Sequence, residues 1–359
     1  MRGIRTLALI AIGLIAQLGV ALAQASGWQP LPSGVELPIQ VRLTVRVLDV
    51  TRVLETSGEL GASIEFTQRW TDPGLRFDHV KEGAEHLDFS GPAAEAKLAI
   101  IWQPGIAIDN MIGSPRAQTV ALSIFADGRV VLIRRLDADF RVSVNMSKFP
   151  FDTQSFPLRF STARHAANEV VLTTTEFDRS FSTIRGELSV TNWQAGGVAF
   201  VQDSFYGWNA RAFSRMTFLV TVERAWTRYI LRMFVPFVAI MSLSLFILWA
   251  PDTVISSNQR APLVFTTLLA LAALSFTFEA SFPGSISMNS PIATMISMGY
   301  FYLPAVLVID VVLNMKNSAI ARRYPYLLPE MRRNLRVTVP LLFAGLCLIS
   351  LLLSGDLTG

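Results

Sequence analysis

Four stretches in the last third of the chain carry no charged side chain: 233–251, 261–278, a run ending near Ile309, and 337–355. Each approaches the ~20 residues that a helix needs to cross a ~30 Å hydrocarbon core. Lipid offers backbone groups no hydrogen-bond partners, so such runs have little choice but to close their bonds internally as helices. The sequence therefore predicts a membrane domain over 225–359, with spans at about 230–250, 261–281, 291–314 and 336–355. Composition agrees: 51% of residues are apolar and only 16% charged, against about 25% charged in an ordinary globular domain.

A further apolar run opens the chain. Arg2 and Arg5 precede positions 7–22, apolar but for Gln17, and Ala21-Leu22-Ala23 has the small-x-small form of a cleavage site. This is the pattern of a signal peptide over 1–23, the alternative being a fifth membrane helix. Removal would leave a chain that starts at Gln24 outside the cytoplasm. Between the third and fourth spans, Lys316, Arg322, Arg323, Arg332, Arg333 and Arg336 stand against one acid, Glu330. Basic loops stay cytoplasmic. Signal and basic loop together predict an inner-membrane protein whose domain 24–224 faces the periplasm.

That domain reads as β throughout. Ile39, Val41, Leu43, Val45 and Val47 alternate with Gln40, Arg42, Thr44 and Arg46, the period of a half-buried strand. Further short runs are predicted at 64–70, 97–102, 119–125, 130–136, 140–146, 154–160, 170–174, 188–193 and 215–223. Asp127-Gly128 marks a hairpin, since such turns need positive φ. Many short strands without helical periodicity indicate a sandwich. The single cysteine, Cys347, rules out a disulfide within the subunit and a thiolate metal site.

Several motifs, in order along this frame, resemble one family. Phe149-Pro150-Phe151-Asp152-Thr153-Gln154 resembles the signature loop of the pentameric ligand-gated ion channels, the Cys-loop receptor superfamily. Val142 and Phe156 stand where animal members place the bracketing cysteines, so the chain looks like the bacterial branch that lacks the bridge. Trp70-Thr71-Asp72-Pro73 is similar to the family's W-x-D motif, and Trp102-Gln103-Pro104 to its WxP motif, with Gly105 where an acid is common. Arg224 and Pro236 match the junction arginine and first-span proline, and Pro283 matches the proline after the second span. The resemblance implies an immunoglobulin-like β-sandwich followed by a four-helix transmembrane bundle. It further implies a homopentamer in membrane lipid that a small-molecule, ion or proton agonist opens.

Pro262, Thr266, Leu269, Ala273, Phe276 or Thr277, and Ala280 share one face of the second span. From periodicity alone this face either lines a pore or presents hydroxyls to neighbouring helices. The resemblance favours the pore and places a leucine gate at Leu269; the helical face adds Phe276 as a second ring. Glu279 at the outer mouth would favour cations. Charge selectivity stays open, because Asn258, Gln259 and Arg260 stand where cation-selective relatives carry a glutamate.

By the same resemblance Asp152 and Arg224 pair at the junction, with Pro150 and Pro283 beside them and the loop 49–52 resting near Pro283. A purely structural ion pair is the alternative. In the family, agonists bind between subunits in an aromatic cage, and here much of that cage is missing. Glu65, Asp109 and Ala163 occupy positions that are usually aromatic, and only Phe200, Phe205, Tyr206 and Trp208 remain. A quaternary ammonium ligand fits poorly; the acids suit an amine or a titrating proton sensor.

Other classes fit less well. The net charge of +4 is small and argues against a nucleic-acid partner. No GxSxG, HExxH or phosphate loop is present, so no enzyme and no cofactor is expected. Asp78, His79, Glu82, Glu85, His86 and Asp88 have the composition of a cation site without its spacing, and a polar loop is the better reading. A membrane-anchored receptor that binds but does not conduct remains the alternative to a channel.

Overall fold

The computed structural model describes residues 30–251, 253–281, 290–314 and 326–355. The signal segment 1–23, Pro283, and Lys316, Arg322 and Arg323 of the basic loop lie outside the described residues.

Among these residues the strands form two sheets. The larger has the order β3 (His86–Ser90), β5 (Met111–Phe125), β6 (Arg129–Arg141), β2 (Glu59–Thr71), β1 (Ile39–Leu54) and β8 (Val170–Thr173). β9 (Thr183–Ile184) also pairs with β1. The smaller has the order β10 (Trp193–Tyr206), β11 (Ala212–Arg224), β7 (Thr153–Thr162) and β4 (Ile106–Ile108). The period-two residues of β1 do what their spacing requires: Val41, Leu43, Val45 and Val47 are buried between the sheets. Phe66 of one sheet meets Phe160 of the other at 5.2 Å between ring centroids, a tilted contact of the kind aromatic pairs prefer.

The Asp127-Gly128 turn falls between β5 and β6 as expected. Gly128 has φ 85°, and a Cβ there would lie 2.6 Å from the Asp72 carbonyl, so glycine is required twice over. Three expected strands are corrected. Residues 97–102 fall largely in helix α1 (Pro92–Ile100), where Pro92 sits in the first turn and Ala94 and Leu98, one turn apart, are buried. The apparent alternation of Leu98, Ile100 and Trp102 mimicked a strand. β6 ends at Arg141, so 142–146 leaves the sheet, with the Val142 amide donating to the Gly58 carbonyl at 2.8 Å. Residues 188–192 form no strand; the Ser189 amide is held by the Asp49 carboxylate at 2.8 Å.

The expected membrane-facing loop at 49–52 is also corrected. These residues continue β1, whose register slips beside Asp49 and again before Arg52. Such bulges admit polar residues without ending a strand. The turn itself lies one step later, at Glu55 to Gly58, and Gly58 has φ 65°.

Asp178, in the short helix α2 (Glu176–Ser180), closes one edge of the sandwich. Its carboxylate is inaccessible to water, and it accepts from Arg42 at 2.9 Å, Arg69 at 2.9 Å and Thr44 at 3.2 Å. The Thr175 amide donates to it as well, at 3.1 Å, completing a capping box. Burial alone would raise its pKa; hydrogen bonds from Arg42 and Thr175 outweigh that and hold it below the ordinary value.

The membrane domain contains α3 (Val235–Trp249), α4 (Ser257–Ser281), α5 (Pro291–Asn314) and α6 (Leu327–Gly355). Thr227–Trp249, Asn258–Ser281, Pro291–Val311 and Arg333–Leu352 are long and apolar enough to cross a bilayer. A π-helical turn, Ile230–Phe234, leads into α3 just before Pro236. Arg260, at 1% exposure, ties one end of the bundle together. It donates to the carbonyls of Ile247 (3.0 Å) and Ala250 (2.6 Å) at the end of α3, and to Asp310 of α5 (3.1 Å). A cation suits the carbonyl end of a helix.

Asp178→Asn should destabilise the sandwich at neutral pH by about 2–3 kcal/mol, reduced from the fully buried case because both arginines are partly solvated. The wild-type carboxyl has a depressed folded pKa. Its stabilisation is therefore present above the unfolded value of about 3.9 and is lost as pH falls through the folded one. Thermal midpoints of the two proteins in detergent should differ at pH 7 and converge in strong acid; a constant gap would contradict the assignment.

Candidate functional site

Three places collect the residues that the sequence singled out. The first is the junction between sandwich and helices. Arg224 is the last residue of β11 and Asp152 immediately precedes β7, the strand beside it. The pairing expected from the motif is present. Arg224 Nε lies 2.6 Å from Asp152 Oδ1 and Nη2 lies 3.1 Å from Oδ2, a bidentate fork with neither side chain open to water. Sequence reasoning missed the other partners. Arg224 Nη1 also donates to Glu55 at 3.0 Å and to the Tyr229 hydroxyl at 3.1 Å. The guanidinium carbon sits over the rings of Trp193 at 4.2 Å, Phe149 at 4.8 Å and Tyr229 at 5.5 Å. Burial would lower its pKa, but Asp152 and then Tyr229 more than offset that, so the charge is held above its ordinary value.

The remaining motif residues serve that guanidinium. Gln154 donates to Asp152 Oδ2 at 2.6 Å and to the Asn145 carbonyl at 2.7 Å, fixing both the carboxylate and the chain before the motif. Phe149 meets Tyr229 edge-on at 5.5 Å and Phe151 meets Trp226 at 5.6 Å, so residues on both sides of Pro150 contact the segment that enters the first span. Phe149 and Met146 share an apolar cluster with Tyr229, Met233 and Phe237. No long-range partner such as Glu55 leaves a local spacing by which it could be read in advance.

The second place is α4. Val264, Thr267, Leu271 and Phe278 are buried against the bundle. Pro262, Thr266, Leu269, Ala273, Phe276, Thr277 and Ala280 are all exposed on the isolated subunit, as is Glu279. Leu269 is 71% exposed and Phe276 76%. Of the hydroxyls of α4, Ser275 alone reaches another helix among the described residues, at 2.8 Å from the Tyr300 hydroxyl of α5. Thr266, Thr267 and Thr277 donate to carbonyls of α4 itself.

The third place is the pair of outer sheet faces. Glu65 points outward from the larger sheet, with Arg46 at 3.2 Å and Arg135 opposite it on β6. Asp109, Phe205, Tyr206 and Trp208 belong to the smaller sheet and its hairpin. Asp109 accepts from the Ser161 hydroxyl, Tyr206 is 82% exposed and Trp208 61%. A single subunit therefore does not bring Glu65 together with the others. Phe200 turns inward, 4.5 Å from Phe218 in the core, and leaves the aromatic set.

Arg215, in sequence only the first residue of the predicted run 215–223, carries a contact that no motif marks. It stands opposite Asp203 across β10 and β11, donating to it from Nε at 3.0 Å and from Nη2 at 2.5 Å. That hydrogen bond raises the Arg215 pKa and lowers that of Asp203. Its guanidinium carbon lies 5.2 Å from the centroid of the Phe205 ring. The acidic and histidine residues around Asp78 have local duties: Asp78 caps a turn through the Val80 amide at 3.0 Å, and His86 lies 3.2 Å from Asp88.

The family profile described as neurotransmitter-gated ion-channel ligand binding domain matches residues 27–226. A proton-gated ion channel of Gloeobacter violaceus is 22% identical over 303 residues, covering 83% of this chain and 80% of that protein. A gamma-aminobutyric acid receptor subunit pi of Bos taurus is 23% identical over 259 residues, 69% of this chain and 54% of its own. An acetylcholine receptor subunit gamma of Gallus gallus is 22% identical over 258 residues, 68% of this chain and 48% of its own. The chain thus spans about half the length of these two animal relatives.

Arg224→Gln leaves two carboxylates facing a neutral group, and Asp152→Asn removes the fork. Each should lower unfolding stability by about 3 kcal/mol. The double variant should lose little more than either, which requires a coupling of about 2–3 kcal/mol in denaturant titrations. Additive losses would mean that the two groups act separately.

Proposed function

The chain belongs to the neurotransmitter-gated ion-channel family, which makes it a ligand-gated channel protein and not an enzyme, and from that premise we propose how its parts divide the work. Identical subunits assemble as a homopentamer in the inner membrane, with the sandwich in the periplasm once the signal segment is removed. α4 lines the pore, and apolar α6, with Leu341, Leu342 and Leu352 exposed, faces lipid. The observation that carries this reading is the division of α4 into two stripes. One stripe is buried in its own bundle, while the other, from Pro262 to Ala280, is exposed and has no cover among the described residues.

Around an axis, Leu269 forms an apolar ring narrow enough to exclude water, and Phe276 forms another above it; tilting of α4 widens both. Glu279 at the outer end supplies a ring of carboxylates that favours cations. The agonist, a small molecule, ion or proton, binds between neighbouring subunits. Supporting this, Glu65 lies on one sheet while Asp109, Phe205, Tyr206 and Trp208 lie on the other, so only adjoining subunits could join them. The gating of the Gloeobacter relative by protons makes a proton a reasonable first agonist to try. The movement passes to the helices through Asp152 and Arg224, with Pro150 in the loop beside that contact.

Leu269→Ser should hydrate the closed pore and produce standing current or greater agonist sensitivity in expressing oocytes. Unchanged sensitivity without leak would move the gate to Phe276. In the same recordings Glu279→Gln should shift the reversal potential toward that of the anion. A monomer in detergent would sink the assembly itself.

A further inference from the structure

We propose that Arg215 is a built-in cation seated on the aromatic face of the β10–β11 hairpin, and that its presence makes the site refuse ammonium ligands. The assignment rests on the reading of that hairpin as part of the agonist site. An ammonium ligand needs an aromatic face and a nearby counter-charge. The hairpin has both, and the protein's own guanidinium uses both. Arg215 lies over Phe205 at 5.2 Å and binds Asp203 through two nitrogens. Phe213 stacks on the same ring at 5.8 Å, with 28° between the planes, so Phe205 is engaged from two directions.

This placement follows from strand register. Asp203 faces Arg215, and Phe205 faces Phe213 two pairs further toward the tip on the same face, so the guanidinium lies diagonally across from the Phe205 ring. The arrangement is not a loose surface pair: side-chain exposure is 27% for Arg215 and 37% for Asp203 in the isolated subunit. In the adjacent strand, Ser161 stands opposite Arg215 and donates its hydroxyl to Asp109, which lies diagonally beyond it, two positions past Ala107. Arg159, on the same face, also acts on Asp203. Without Arg215, a carboxylate and a phenyl ring would stand together with their cation missing.

The test titrates tetramethylammonium calorimetrically into the purified full-length protein in detergent. Arg215→Ala and Arg215→Gln should each bind it about tenfold more tightly than wild type. Glutamine can still donate to Asp203, so it carries the test if the alanine variant does not fold. Arg215→Lys, which keeps a cation, should stay as refractory as wild type. Adding Phe205→Ala to Arg215→Gln should abolish the gain. Equal binding by wild type and both neutral variants overturns the proposal, and so does a gain that survives loss of the Phe205 ring. Currents recorded in parallel separate the two levels of the argument. Tight binding without any effect on current supports this role for Arg215 and sinks the hairpin as agonist site.

Discussion

The structure depends on one guanidinium from which water is excluded. An arginine cannot give up its proton, so burying Arg224 requires that every direction around its planar head be answered. Asp152 takes one edge as a fork, Glu55 and Tyr229 take another, and aromatic rings cover the faces. These partners come from the first hairpin turn, the signature loop, the start of β10 and the entrance to the first helix. These segments are far apart in sequence and converge on this charge. Removing one partner would strand the others, which makes the junction stiff in a way that apolar packing is not.

A second guanidinium organises the opposite end of the helices. Arg260 binds the carbonyls that end α3 and the carboxylate of Asp310 on α5, from its own position near the start of α4. The bundle is thus tied at one end by Arg260 and joined to the sandwich at the other through Arg224. Between them, small apolar and hydroxyl side chains along α4 offer no comparable anchor. A helix anchored by charge at one end and packed by neutral side chains along the rest can tilt or bow without unfolding.

What could be read in advance follows from which forces leave a period. Burial on one side imposes spacing two on β1 and spacing three to four on α4, and both were legible before any coordinate. Helix α1 was misread because Leu98, Ile100 and Trp102 alternate by accident, while the better signal lay in Pro92 and the alanines behind it. The resemblance places a loop at 49–52, although bulges keep Asp49 and Arg52 in a strand. Asp152 and Arg224 were found through a motif, whereas Glu55 and Tyr229 were not. Long-range charge pairing has no repeat, so only the folded chain reveals it. Arg215 was missed for the same reason: its partner stands twelve positions earlier, across a hairpin whose register was unknown.

The hydroxyls of α4 carry one more consequence. A threonine hydroxyl has a single proton, and those of Thr266 and Thr277 are donated to the carbonyls of Pro262 and Ala273. With the proton turned into the helix, each oxygen offers its lone pairs to whatever lies outside. Five such helices around an axis would surround the passing ion with oxygens of one polarity and few hydrogens. That lining would replace the water shell of a cation more readily than that of an anion, before any full charge is counted.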